Sequence, residues 1–299
     1  MQYSPERSKL LFVVNPISGG RKKINWETEI REYFAGSDHQ VEMLVLNGGN
    51  DGWKIYEKIK TGQPDKVIAV GGDGTIKLVV EQLLGTDIPL GIIPAGSANG
   101  LAREFDLPAS LKDALAVVMK DNIRTVDLIK INDKEICVHL SDMGLNARVV
   151  KYYAMGGVRG KWGYARAIWR VLWQRQLISA EILVNGQQLK REAFMVVIAN
   201  ARTYGTGALI NPSGNISDGL FEVVVVKELS VWELLKMIVT HKPFDPRKIE
   251  VLKTTEARVN IRKRGYFQVD GEYRGKQPSV HARILPAALR LLLPREDKK

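Results

Sequence analysis

The chemistry of this chain is concentrated in Val70-Gly71-Gly72-Asp73-Gly74-Thr75, where one carboxylate stands among three glycines directly after the apolar run Val67-Ile68-Ala69-Val70. Glycine tolerates positive φ and has no Cβ, so successive N–H groups can converge on an anion, and a helix opening near Thr75 adds its positive end. Such a junction suits phosphate. A carboxylate beside phosphates is repelled unless it holds a metal ion or takes a proton from an incoming hydroxyl, and both are roles in phosphoryl transfer. Asp73 is open to either role. The competing account is a Gly-Asp-Gly turn with no chemistry of its own.

Other constellations are of the same kind. Asn15, Ser18, Gly19 and Gly20, followed by Arg21, Lys22 and Lys23, offer backbone donors and cations to a nucleotide phosphate, although a basic triplet also suits a solvated helix start. The Gly-x-x-x-x-Gly-Lys-Ser/Thr spacing and the Gly-x-Gly-x-x-Gly fingerprint are both missing, which disfavours a Walker-type ATPase and a Rossmann dinucleotide site. Asp270-Gly271-Glu272 follows Tyr266-Phe267-Gln268-Val269, and either acid is a candidate second catalytic group or part of a plain hairpin turn. Asp218, in Asn215-Ile216-Ser217-Asp218-Gly219-Leu220, binds a cation or caps backbone groups. Trp162, Ala165, Trp169 and Leu172 share one helical face, which reads as packing against a sheet or as an interfacial helix. Val231, Leu234, Leu235 and Ile238 form a second apolar face of this type.

Alternating strands and helices must position the phosphate loops. Leu10–Val14, Val41–Leu46, Val67–Val70 and Leu90–Ile93 read as strands, with helices around Trp26–Phe34, Trp53–Ile59, Val79–Leu84 and Leu111–Met119. That order implies a parallel sheet covered on both faces, with its ligand crevice at the strands' C-terminal ends. Three polar, glycine-rich loops fall there, after Val14, Val70 and Ile93, the last being Pro94-Ala95-Gly96-Ser97-Ala98-Asn99-Gly100. Beyond about Arg124 the pattern turns to strands at 126–131, 136–140, 180–184, 193–199, 220–226, 256–261, 265–269 and 280–285, an antiparallel β-rich domain. Helices are expected only at about 161–175 and 231–240. The expected division is an α/β nucleotide-binding domain over 1–125, with the tail 286–299 returning to it, and a β-rich domain over 126–285.

Bulk composition agrees with two domains and limits their partners. With 299 residues, a net charge of +11 and a pI near 9.6, the surface favours anions: nucleic acid, phosphorylated metabolites or acidic lipid headgroups. Cys137 is the single cysteine, so no intramolecular disulfide forms, and a buried strand thiol is expected. Four scattered histidines, His39, His139, His241 and His281, lack metal-site spacing, which disfavours zinc. The first residues are polar and the run Leu10–Val14 is too short for a signal sequence or a membrane span, so a cytoplasmic protein that can sit on a membrane surface is expected.

Taken together, the motifs resemble the diacylglycerol kinase catalytic-domain family, which includes bacterial soluble lipid kinases and sphingosine kinases. The resemblance rests on Val14-Asn15-Pro16 with Ser18-Gly19-Gly20, on Gly71-Gly72-Asp73-Gly74-Thr75, and on Ile93 to Asn99 with Leu101-Ala102-Arg103. It continues through Gly156-Gly157 to Tyr164, Asn200 with Tyr204-Gly205, Asp218-Gly219-Leu220 and Asp270-Gly271-Glu272. It implies an α/β N-terminal domain similar to that of phosphofructokinase and a C-terminal β-sandwich that helps to form a lipid site, with ATP and Mg²⁺ bound. Carried over by motif, Asn15, Ser18, Gly19, Gly72, Gly74, Thr75, Gly96, Ser97 and Asn99 serve the nucleotide. Asp73 is the central catalytic and metal-binding acid, Glu272 a second catalytic acid, and Asp218 a metal ligand. Two positions depart from the pattern: Gly100 stands where many bacterial members have an acid, and Asn146 where the family often has aspartate.

The expected function is therefore transfer of the γ-phosphate of ATP to the hydroxyl of a diacylglycerol- or sphingoid-like lipid at an anionic membrane surface, as a step of phospholipid metabolism. A NAD kinase-like activity and a non-catalytic lipid-binding protein with a degenerate kinase site are the alternatives. Nucleic-acid binding has no recognition motif behind it. The oligomeric state stays open, a homodimer included.

Overall fold

The computed structural model describes residues 7–18, 25–155, 176–203, 209–228 and 245–295. The chain divides into two compact units, residues 1–126 with 288–299, and residues 127–287.

In the first unit β1 (Lys9–Val14), α1 (Trp26–Tyr33), β2 (Gln40–Val45), α2 (Asp51–Gly62), β3 (Lys66–Gly71), α3 (Asp73–Leu83) and β4 (Leu90–Pro94) alternate, followed by α4 (Gly100–Glu104) and α5 (Leu111–Val118). The four strands are parallel in the order β2-β1-β3-β4, and the end of the last strand of the chain joins the free edge of β4 where Leu291 pairs with Leu90. β1, β3 and β4 are continuous apolar runs because helices cover both faces of the sheet. Phe12, Ile68, Val70 and Ile93 pack with Ile30 and Phe34 of the α1 region, Ala114, Leu115 and Val118 of α5, and Leu292. Local signals set the helix starts: the Asn25 side chain accepts from Thr28 N at α1, and Ser110 accepts from Asp113 N at α5.

β5 (Ile123–Ile131) leads from the first unit into the second. There it is followed by β6 (Glu135–Cys137), β7 (Leu140–Gly144), α6 (Leu145–Met155), β8 (Ile178–Val184), β9 (Gln187–Ala193), β10 (Met195–Ala199), β11 (Phe221–Val226), β12 (Ile249–Thr254), β13 (Glu256–Val269) and β14 (Glu272–Leu292). The strands run antiparallel in the order β12-β11-β10-β7-β13-β14, with β8 bridging β13 and β9. β10 and β11 look unpatterned because both their faces are buried. Val196, Ile198, Val223 and Val225 enter one core with Ile182, Val259 and Val280, while Met195, Val197, Val224 and Val226 enter another with Leu145 and Val149 of α6. This is a β-sandwich-like arrangement with a helix laid on one face.

The structure departs from the sequence pattern at definite places. The strand expected at 136–140 breaks into β6 and β7, because both oxygens of the Asp270 carboxylate hold the intervening turn through Val138 N and His139 N. The strands expected at 256–261 and 265–269 are one strand with a bulge. β9, β12 and α6 have no counterpart among the expected elements. The helices expected at about 161–175 and 231–240, with their tryptophan and leucine faces, lie outside the described residues.

Candidate active site

The three phosphate-type loops of the first unit lie side by side because the strands that carry them are in parallel register, with Val14 opposite Val70 and Gly71 opposite Pro94. Two backbone hydrogen bonds continue that register past the strand ends, Asn15 N to Val70 O at 3.0 Å and Ala95 N to Gly71 O at 2.9 Å. Asn15 joins the first loop to the second. Its Nδ2 donates to Thr75 Oγ1 at 3.0 Å, and its Oδ1 accepts from Ile17 N. Thr75 is itself buried beneath Gly71, where a Cβ on residue 71 would stand 2.4 Å from Thr75 Oγ1.

The closest approach of the second and third loops is between glycines, since a Cβ on Gly96 would lie 2.4 Å from Gly72 Cα. Asn99, at φ 51°, closes the third loop on itself by accepting from Gly96 N at 2.8 Å and donating to Gly96 O at 2.9 Å. Ser97 is exposed and Ser18 half-buried beside these turns. Gly19, like the cations Arg21 to Lys23, lies outside the described residues.

Asp73 opens α3, whose N-cap is Gly72 and whose N-terminus has no side-chain cap. Thr75 N is taken by Gly72 O at 2.9 Å, which leaves the amides of Asp73 and Gly74 open to a ligand. The Asp73 carboxylate points the other way, to the start of α4: Oδ2 accepts from Gly100 N at 3.0 Å and Oδ1 from Leu101 N at 3.1 Å. Among the described residues no lysine or arginine pairs with it. Each oxygen keeps a lone pair for a further partner, and among the described residues no cation stands beside the negative charge.

The second unit contains the other acids. Glu272 follows the Asp270-Gly271 turn, in which φ is 50° and 83°, as a tight hairpin requires. Glu272 is half exposed and paired with Arg274, whose guanidinium is also held by Glu135 and raised further above its ordinary range by Glu135 first and Glu272 second. Asp270 is a positioning group for the 137–140 turn. Asp218 Oδ1 accepts from Leu220 N, and its Oδ2 faces Lys253 Nζ at 3.6 Å, which also lies 3.4 Å from the buried Glu222. The sequence motifs give no hint of Asp127, whose oxygens accept from Gly219 N and Ala287 N, both at 2.7 Å.

Residues 9–131 match the family model described as diacylglycerol kinase catalytic domain, and residues 141–293 match the one described as YegS C-terminal NAD kinase beta sandwich-like domain. The chain belongs to the diacylglycerol kinase catalytic-domain family. It is 28% identical over 305 residues to a protein of Mycobacterium tuberculosis (strain ATCC 25618 / H37Rv) named "Diacylglycerol kinase", covering 97% of this chain and 96% of that one. It is 29% identical over 242 residues to a Shigella flexneri protein named "Probable lipid kinase YegS", with 76% and 78% covered. A crystal structure of a diacylglycerol kinase from Bacillus anthracis str. Sterne has the same fold, at a TM-score of 0.74 and 20% identity, over 97% of this chain and 98% of that one.

For a member of the diacylglycerol kinase family, the two expected metal ligands differ in fitness. Asp73 fits a divalent cation: it is a carboxylate with free lone pairs and, among the described residues, no ammonium beside it. Asp218 does not fit in this arrangement, because the Lys253 ammonium already faces it. The family departure at residue 146 also has a physical account. Asp142 is fully buried and accepts from Asn146 Nδ2 at 2.6 Å, from Ala147 N at 2.8 Å and from Gln268 Nε2. An aspartate at 146 would set a second carboxylate against the first. At residue 100, the backbone N–H of glycine is what reaches Asp73.

Proposed function

We propose that this chain is a lipid kinase that transfers the γ-phosphoryl group of ATP to a hydroxyl of a diacylglycerol- or sphingoid-like lipid. The observation that carries the reading is Asp73, an acid fixed by two backbone amides beside three adjoining glycine loops and, among the described residues, without a counter-ion. The family supports phosphoryl transfer, and the relatives named diacylglycerol kinase and lipid kinase support a lipid acceptor.

In this proposal the loops after β1, β3 and β4 bind the triphosphate, with the open amides of α3 and the hydroxyls of Ser18 and Ser97 as donors. Asn15, Thr75 and Asn99 hold those loops in place. Mg²⁺, when bound, neutralises charge on the phosphate oxygens, and Asp73 is the residue that would hold it. The acceptor oxygen bonds to the γ-phosphorus as the β,γ-bridging oxygen departs with ADP, and the hydroxyl proton passes to a carboxylate, for which Asp73 is the candidate. The second unit supplies the lipid site. A net charge of +11 draws the enzyme to anionic membrane, each near-surface Lys or Arg contributing roughly 1 kcal/mol.

The test offers labelled ATP and Mg²⁺ with a mixed lipid extract in one tube and with NAD in another, followed by mass spectrometry of the labelled product. Label in the lipid phase is the expected result. Label on NAD establishes the NAD kinase-like alternative instead. If neither tube is labelled and ATP gives no thermal shift, the chain is a lipid-binding protein with a degenerate site.

A further inference from the structure

The second unit contains a cavity of about 680 Å³, within the range of small-ligand sites, whose wall is built in an unusual way. Consecutive residues of a strand point to opposite faces, so Arg262-Lys263-Arg264 in a regular ladder would drive at least one cation into the sandwich core. β13 avoids this with a large bulge. The ladder is in register at Asn260 with Ser279 and again at Gly265 with Gln277, so four residues, 261 to 264, oppose Pro278 alone. Proline has no N–H to give to a ladder, and the bulge leaves all three cations exposed at the cavity wall.

More positive charge converges from other elements. Arg148 of α6 and Lys276 of β14 also line the cavity, and both lie against the ring of Tyr266, at 5.7 and 4.8 Å from its centroid. Lys151 lies 4.9 Å from the same centroid. Against these stands, among the described residues, one lining carboxylate, Glu192. Among the described residues no carboxylate pairs with Arg262, Lys263, Arg264 or Lys276. Such a cluster is self-repelling until an anion enters it.

Leu145, Leu177, Ile178 and Ile261 give the wall an apolar part beside the polar Gln176 and Ser179, and Leu177 is 52% exposed. A free phosphate has no use for that surface, and nucleic acid would call for stacking platforms along an open groove. We infer that this cavity holds the phosphate-bearing headgroup of one anionic lipid, with the cations on the phosphate and the first acyl carbons against Leu177 and Ile178. This goes beyond general attraction to a charged membrane, and it stands whether or not the chain is a kinase.

The test is isothermal titration of the whole chain with dihexanoyl phosphatidylglycerol below its micelle concentration. Zwitterionic dihexanoyl phosphatidylcholine and glycerol 3-phosphate serve as comparison ligands. The variant carrying Arg262→Ala, Lys263→Ala and Arg264→Ala should bind the anionic lipid about 100-fold more weakly, from roughly a fivefold effect per charge. A control carrying Lys112→Ala, Lys120→Ala and Lys134→Ala removes equal charge elsewhere and should change binding by less than about twofold. Leu177→Glu, at an exposed site that the fold does not need, should weaken it by at least about tenfold. Equal losses in the control, equal binding of phosphatidylcholine, or no binding by the unaltered chain would each overturn the inference. Glycerol 3-phosphate binding as tightly as the lipid would make the occupant a free phosphate ester and overturn the lipid assignment.

Discussion

Gly72 and Gly96 meet backbone to backbone, so closely that a Cβ built on Gly96 would stand 2.4 Å from Gly72 Cα and 2.7 Å from Asn99 Oδ1. None of these neighbours is the free end of a flexible side chain. Gly96→Ala must therefore part the second and third loops, at a cost of about 1–3 kcal/mol typical of overpacking. The expected outcome is a melting temperature lower by several degrees and ATP-dependent turnover lower by at least about tenfold. A variant that melts and turns over like the parent would show that the loops tolerate separation.

Asp73 is held by amides and, among the described residues, by no cation, so its charge is available for chemistry and contributes little to folding through ion pairing. Asp73→Asn should keep one accepted hydrogen bond, at Oδ1, and set an NH₂ against the other α4 amide, for a stability loss of about 1–2 kcal/mol. Turnover should fall by at least about 100-fold, on the scale expected for loss of a proton acceptor or metal ligand. Thermal melts and initial rates on the same preparation separate the two effects. Near-normal rates with an intact fold would remove Asp73 from the centre of the mechanism.

Much of this arrangement is legible in the order of residues alone. β1, β3 and β4 are doubly buried, so their apolar runs stop abruptly at turn residues, and those stops mark where the loops between Asn15 and Asn99 begin. Other parts leave weak signals for physical reasons. β9 is a polar strand, Gln187–Ala193, whose inward positions are Leu189, Arg191 and Ala193, so the arginine breaks the apolar alternation that would mark it. α6 carries a signal in Leu145, Val149 and Tyr152, at helical spacing, but its partners Val197, Val224 and Val226 come from strands far along the chain. The Arg262–Arg264 bulge depends on Pro278 across the ladder, a relation that the order of residues does not contain.

The same holds for Asn146, a departure from the family pattern that the fold explains. Buried Asp142 takes its hydrogen bonds from Asn146, Ala147 and Gln268, and Gln268 in turn accepts from Gly271 N at 2.7 Å. Asn146→Asp would replace a donor by a like charge and raise the proton affinity of the pair in the folded state. A raised folded pKa gives stability below the unfolded pKa that is lost as pH rises, so the variant should be close to the parent near pH 4 and clearly less stable at pH 8. Urea denaturation at both values checks this. A deficit of the same size at both would mean that the lost hydrogen bond, and not charge, is the cause.

A second pH effect of opposite sign is expected at Glu250. Arg191, from the edge strand β9, donates to Glu250 of β12 through Nε at 2.8 Å and a second guanidinium nitrogen at 2.9 Å, and Lys227 Nζ lies 2.6 Å away. The Arg191 hydrogen bonds first, then Lys227, hold the Glu250 carboxyl down to about 2 against burial that acts the other way. A folded pKa below the unfolded value gives stability that is present above the ordinary glutamate range and is lost as pH falls toward 2. Glu250→Gln keeps the shape and removes the charge, so at pH 7 it should cost about 1–2 kcal/mol. Because protonation removes the same charge from the parent, the gap between the two proteins should close progressively between pH 5 and about pH 2. Parallel urea titrations of parent and variant at pH 7, 5 and 3 read this directly. A gap that stays constant to pH 3 would show that Arg191 secures β9 to β12 by packing of its stem and not by its charge.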